Sequence, residues 1–241
     1  MDEWDRELSQ YAGVLNGFKE WEPSLSTLMQ RLPDIPLNYT PTSEGIVAVQ
    51  VSLFMVAGCL PMSQQAVAGF INLWQAGLMN IISLPARLIY EVWGGVHYAR
   101  HILSQMRTSG DVKVALLKSQ KLTLGARSDV ELPWGGLSTD ISVNVMDFVR
   151  FLSDVYPETE DSYGFLCESC HPSFLRHSMW SLTCPPLPNW SNPRFREQAH
   201  NVIRRTVEII ARSLDGITLD SREILELALP LIEMDQLKDH H

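Results

Sequence analysis

Between positions 45 and 86 the chain contains no Asp, Glu, Lys or Arg. A stretch this long without charge has two places to go, a protein core or a lipid bilayer. A transmembrane helix needs about 20 consecutive, mostly apolar residues. Positions 46–60 fall short of that length. Positions 66–86 reach it but carry Asn72, Gln75 and Asn80, whose amides would lack partners in hydrocarbon. The expectation is a buried helical hairpin in a soluble protein with no membrane contact, turning at Pro61 and Ser63.

Helical spacing dominates the rest of the chain. Trp4, Leu8, Tyr11, Leu15 and Phe18, then Leu25, Leu28, Met29 and Leu32, keep a three-to-four period divided near Glu22 and Pro23. Pro33, Pro36 and Pro41 make the following stretch an extended connector. Positions 1–43 therefore read as a helical arm with its connector, and 44–239 as the bundle domain. Beyond Pro85, one helix face is lined by Leu84, Leu88, Val92, Val96, Ala99, Leu103 and Met106. Positions 112–122 fit helix or strand, and 123–139, with Pro133, Trp134, Gly135 and Gly136, read as a long loop.

Helical spacing resumes over 142–156, is followed by an acidic turn at 157–161, and returns around the Cys and His residues of 163–180. Pro185, Pro186 and Pro188 make 183–192 irregular. Two final helices are predicted: Asn192 caps the first, with Pro193 at its first position and Gly216 at its end. Asp220 and Glu223 form a capping box for the second. No repeat and no period-two alternation occurs. The fold class expected is all-α, a bundle of about seven or eight helices with one long loop.

Charge narrows the function classes. Nineteen Lys and Arg against 28 Asp and Glu leave a formal charge of -9, which argues against a general nucleic-acid coat or a polybasic membrane binder. Four cysteines, and an opening Met1-Asp2-Glu3-Trp4-Asp5 without a cationic, apolar leader pattern, lead to the expectation of a reducing, cytoplasmic setting.

Three groups of residues have the chemistry of a site. Cys167-Glu168-Ser169-Cys170-His171, followed by His177 and Cys184, has the spacing of covalent haem attachment, which normally requires export. Cys167, Cys170, His177 and Cys184 also offer four ligands of zinc type. On a helix, Cys167, Cys170 and His171 share one face, with the thiols as small core residues. This last reading, with no metal and no cofactor, is the one adopted. A second group, Arg87, Glu91, Gly94, Tyr98 and His101, forms a polar stripe on the helix after Pro85. It lines either a cleft or a partly buried structural pair, and the second is favoured because Tyr98 and two adjacent glycines suit a covered face.

The third group opens the late helix. Arg194, Arg196, Arg204, Arg205 and Arg212 stand against Glu197 and Glu208, and Arg196, His200 and Arg204 recur every four residues. Arginines in a first helical turn oppose the helix dipole, which makes sense if an anion docks there. The structural alternative is a set of helix-forming arginines balanced by the acidic residues 158–161.

An Arg and a His separated by four to six residues at the start of a late helix resembles HEPN-type helical domains. Arg194 and His200 match that spacing, with Phe195 at the usual polar position. The resemblance implies a metal-independent ribonuclease or nucleotide-directed effector of a bacterial toxin or phage-defence system. His200 would be its general acid/base, with Arg194 or Arg196 stabilising phosphate charge and RNA or a nucleotide as partner. The combination of Arg87-Leu-Ile-Tyr-Glu91, Tyr163 and His171-Pro-Ser also resembles an uncharacterised bacterial helical family, over about 62–180. It implies that Arg87, Glu91, Tyr163 and His171 meet in one cluster. The reading from a different class is a non-catalytic helical interaction protein, acting as a homo-oligomer or a complex subunit.

Overall fold

Burial of the uncharged stretch and of the helix after it organises the molecule. The computed structural model describes residues 20–27, 30, 44–76, 78, 81–124, 144–170 and 193–238. Its helices are α1 (Glu44–Gln75), α2 (Ser83–Ser109), α3 (Val112–Leu124), α4 (Val145–Val155), α5 (Glu158–Cys170) and α6 (Pro193–Lys238). Residues 20–27 are also helical, with Leu25 in the common core and Trp21 packed on it. No strand occurs among the described residues, so the fold is all-α.

α2 is the central element. It packs against α1, α3, α4, α5 and α6, and Val92 to His97 are buried without a break. Two adjacent glycines allow this crowding. A Cβ at Gly94 would stand 2.7 Å from Phe148 Cβ on α4, and one at Gly95 would stand 3.3 Å from Met55 on α1. The helices close in on α2 from two sides where it has no side chains. α2 ends at Gly110, whose φ of 70° is left-handed and whose N–H donates to the Met106 carbonyl.

α1 departs from the hairpin expectation. It continues through Pro61 as one 32-residue helix, and Ser63 Oγ donates to the Cys59 carbonyl at 2.8 Å. A proline inside a helix costs about 3 kcal/mol. Leu53, Val56 and Leu60 before it and Phe70 after it are fully buried, and burial of one such side chain contributes about 1.5–3 kcal/mol. Packing on both sides of the proline outweighs its penalty. By length and hydropathy (1.9) the 45–75 stretch could cross a membrane, and half of its most apolar window is buried inside the protein.

The predicted break at Gly216 is also absent, because α6 runs unbroken for 46 residues. Gly216 is a notch: a Cβ there would overlap the indole of Trp93. Asp220 is one turn further along and caps nothing; its carboxylate faces α2. The acidic turn expected at 157–161 is confined to Pro157, and Glu158, Glu160 and Asp161 lie in the first turn of α5, where the helix dipole favours negative charge. At 112–122, where helix or strand was open, the chain is helical. α4 carries a full capping box, Asn144 with Asp147. The long loop expected at 123–139 and the irregular 183–192 lie outside the described residues, apart from the end of α3.

Candidate functional site

The polar stripe of α2 runs beneath α4 and α5. Tyr98 packs on Phe148 and Phe151, and His101 meets Phe151 edge-on at 4.5 Å. Burial raises the Tyr98 phenol pKa. Burial, and then the charge of Lys118, lowers that of His101. At the margin of the covered face, Arg87 Nε donates to Glu91 Oε1 at 2.8 Å.

The Tyr163 phenol of α5 completes this pair. Arg87 Nη2 donates to Tyr163 Oη at 3.2 Å, and Tyr163 Oη donates to Glu91 Oε1 at 3.1 Å. The guanidinium also lies 5.6 Å from the ring centroid. Burial and the Glu91 charge push the phenol well above its ordinary range, and Cys167 one turn on shares a hydrogen bond with it. The Arg87 guanidinium is raised above its usual value, chiefly by the bond to Glu91. Three of the four residues expected together thus form a closed ring of hydrogen bonds between α2 and α5; His171 lies outside the described residues. A neutral phenol fixed between a cation and a carboxylate is a donor held in place, suited to locking helices or presenting the half-exposed Arg87.

A second polar cluster escaped the sequence reading. Trp93 Nε1 donates to Asp220 Oδ2 at 3.1 Å. His97 Nδ1 lies 3.0 Å from the same oxygen and donates, since a carboxylate only accepts. Arg100 Nε stands 3.1 Å from Oδ1, and Nη1 donates to Glu223 at 2.8 Å. His97 and Asp220 are essentially closed to solvent, so the cluster binds α2 to α6. The signal was present: Trp93, His97 and Arg100 recur at four and three residues on the most buried helix. The Asp220-x-x-Glu223 spacing serves equally for a capping box and for gripping one arginine from a continuous helix.

The cations of α6 are divided between the two borders of its outer face. Arg205 Nη2 donates to the Asp161 carbonyl at 3.3 Å and its guanidinium lies 4.6 Å over the Phe165 ring. Arg212 Nη1 bonds Glu158 at 3.3 Å. Both face α5; Arg212 pairs with an acid of 158–161, whereas Arg205 meets a backbone carbonyl. Arg204 is exposed and His200 half-buried on the other border. Arg194 and Arg196 belong to the first turn of α6, and their side chains lie outside what is described. In the Cys/His segment, Cys167 and Cys170 are half-buried on α5, while His177 and Cys184 lie outside the described residues. No group of three or more His, Cys, Asp or Glu suited to a metal occurs among the described residues. Compared with protein-family models, with curated proteins and with solved structures, the chain matches none.

Proposed function

We propose that the chain is a HEPN-like RNA- or nucleotide-directed effector, a metal-independent ribonuclease of a bacterial toxin or phage-defence system. His200 is its general acid/base, and Arg194 and Arg196 stabilise phosphate charge. The observation that carries the reading is the first half of α6, where half-buried His200 and exposed Arg204 share a border one helical turn apart. On a molecule of formal charge -9, exposed Arg204 puts a positive charge beside His200. Arg196 precedes His200 by the same interval. The protein acts in the cytoplasm, off the membrane and as an oligomer or with a protein partner. Fractionation without detergent tests the location, and recovery only in the membrane pellet contradicts it.

RNA cleavage by the purified chain is the direct test. His200→Ala should lower the rate by roughly 100- to 10,000-fold with the thermal transition retained, and Arg222→Gln, further along α6, should leave it unchanged. Absence of cleavage on single-stranded, hairpin and transfer RNA substrates, or collapse of the fold in His200→Ala, rejects the enzymatic reading. A second reading, a non-catalytic interaction protein, is favoured by the exposed Ile81, Leu84 and Leu88 at the start of α2, which lie on one helix face. If it holds, Leu84→Ser with Leu88→Ser should shift the sedimenting species to a smaller one.

A further inference from the structure

We propose that the cleft between α2, α5 and α6 is a phosphate-binding site separate from the His200 border. Its volume is about 90 Å³, well above the roughly 10–15 Å³ that one ordered water needs. That is room for a small tetrahedral anion. Tyr90 and Trp93 of α2 and Arg205 and Arg212 of α6 are among its lining residues. The two arginines are seven residues apart and project from the same side of α6. Arg205 is roughly 140° around the helix from His200 at about 100° per residue.

The donors are placed but not used up. A guanidinium has five N–H donors. Arg205 gives one to the Asp161 carbonyl, and Arg212 gives one to Glu158, each at a long 3.3 Å. The Arg212–Glu158 pair is half-exposed on both sides, and such pairs contribute only about 0–1 kcal/mol, so a doubly charged anion competes well for Arg212. Phe165 beneath Arg205 fixes the plane of that guanidinium. Ser213 supplies the independent sign of a ligand. It lines the cleft, is fully buried, and its Oγ has no partner among the described residues. A buried hydroxyl without a partner costs about 1–3 kcal/mol; the Oγ is closed to solvent, so a phosphate oxygen recovers that bond by displacing the side chains over it. Ser162, also in the lining, already donates its O–H to the Glu158 carbonyl at 3.2 Å. Glu208 is the carboxylate that lines it, and it is exposed at the mouth, where solvent and salt screen it.

The chemistry recognised is a phosphate group, free or on a nucleoside monophosphate. Titration calorimetry of the full chain at low salt, with inorganic phosphate, adenosine 5′-monophosphate and adenosine as separate probes, tests it. Phosphate and the monophosphate should bind, and adenosine should not. Arg212→Gln and Arg205→Gln should each weaken phosphate binding about tenfold without changing the thermal transition in buffer alone. Ser213→Ala should weaken it also, and the charge-matched Arg222→Gln should not. A monophosphate that binds about tenfold tighter than phosphate identifies a nucleotide as the source; equal binding identifies free phosphate. No heat from either anion, binding indifferent to both arginine changes, or adenosine binding as well as its monophosphate overturns the proposal. Binding is read without RNA, so its failure and that of the ribonuclease reading are separate results.

Discussion

Gly216 and Asp220 are one turn apart on α6 and both serve Trp93 on α2, the first by leaving room for the indole and the second by accepting its N–H. Glycine inside a helix costs about 1 kcal/mol relative to alanine, and replacement by alanine normally recovers it. At Gly58, where nothing lies within 4 Å, Gly58→Ala should raise stability by about 0.5–1 kcal/mol. At Gly216 the sign reverses, because the methyl meets a buried ring, and Gly216→Ala should cost about 1–3 kcal/mol. Urea unfolding of the pair measures both, and stabilisation at 216 would contradict the notch. Asp220→Asn keeps the shape but removes the charge that accepts from Trp93 and His97, while Arg100 keeps Glu223 as its partner. A loss of about 1–3 kcal/mol is expected, the range for leaving a buried donor without its acceptor. His101 gives a pH dependence. Its folded pKa is lowered from 6.5, so between the two values the unfolded chain holds the extra proton, and stability falls as the pH drops from about 6.5 toward the folded value. His101→Gln should flatten that part of the pH–stability curve, as followed by thermal melting.

At the scale of elements, α1 and α6 are each longer than their local signals suggest, and each contains a residue that ordinarily stops a helix. Pro61 is tolerated because core side chains on both sides hold one axis. Pro61→Ala should therefore stabilise the protein by about 1–3 kcal/mol without loss of helical ellipticity. A turn at that position predicts the opposite, since proline would then favour the bend. α5 shows the converse case, in which a local signal and tertiary use agree. Its Glu158, Glu160 and Asp161 suit the positive end of the helix, and the same turn receives Arg205 and Arg212 from α6.

For the whole molecule, the consequence of a helix packed on by α1, α3, α4, α5 and α6 is a gradient of local stability. Amides of α2 between Ile89 and Leu103 should exchange at the rate of global unfolding, whereas those near Val145 on the short α4 should exchange through local opening. Native-state hydrogen exchange distinguishes these, and fast exchange at the centre of α2 would remove it from the core. The described polar clusters have one arrangement in common, two or three residues on α2 closed by a partner more than seventy positions away: Tyr163 for Arg87 and Glu91, Asp220 for Trp93, His97 and Arg100.

Much of this was legible from residue spacing alone. The absence of alternation and the three-to-four period set an all-helical fold, and the apolar face from Leu84 to Met106 set α2 with nearly its observed ends, because amphipathic periodicity depends only on neighbours within two turns. Arg87 and Glu91 could be paired for the same reason. What local pattern left open was whether a breaker breaks. Pro61 and Gly216 each favour a turn over a helix interior, and what overrides that preference is tertiary, the burial of the residues flanking one and the Trp93 indole against the other. Asp220 illustrates the limit most simply. Three residues before a glutamate it reads as a cap, and only the approach of α2 turns its carboxylate into the acceptor for an indole and an imidazole, since a buried polar group must find its partner wherever the fold brings one.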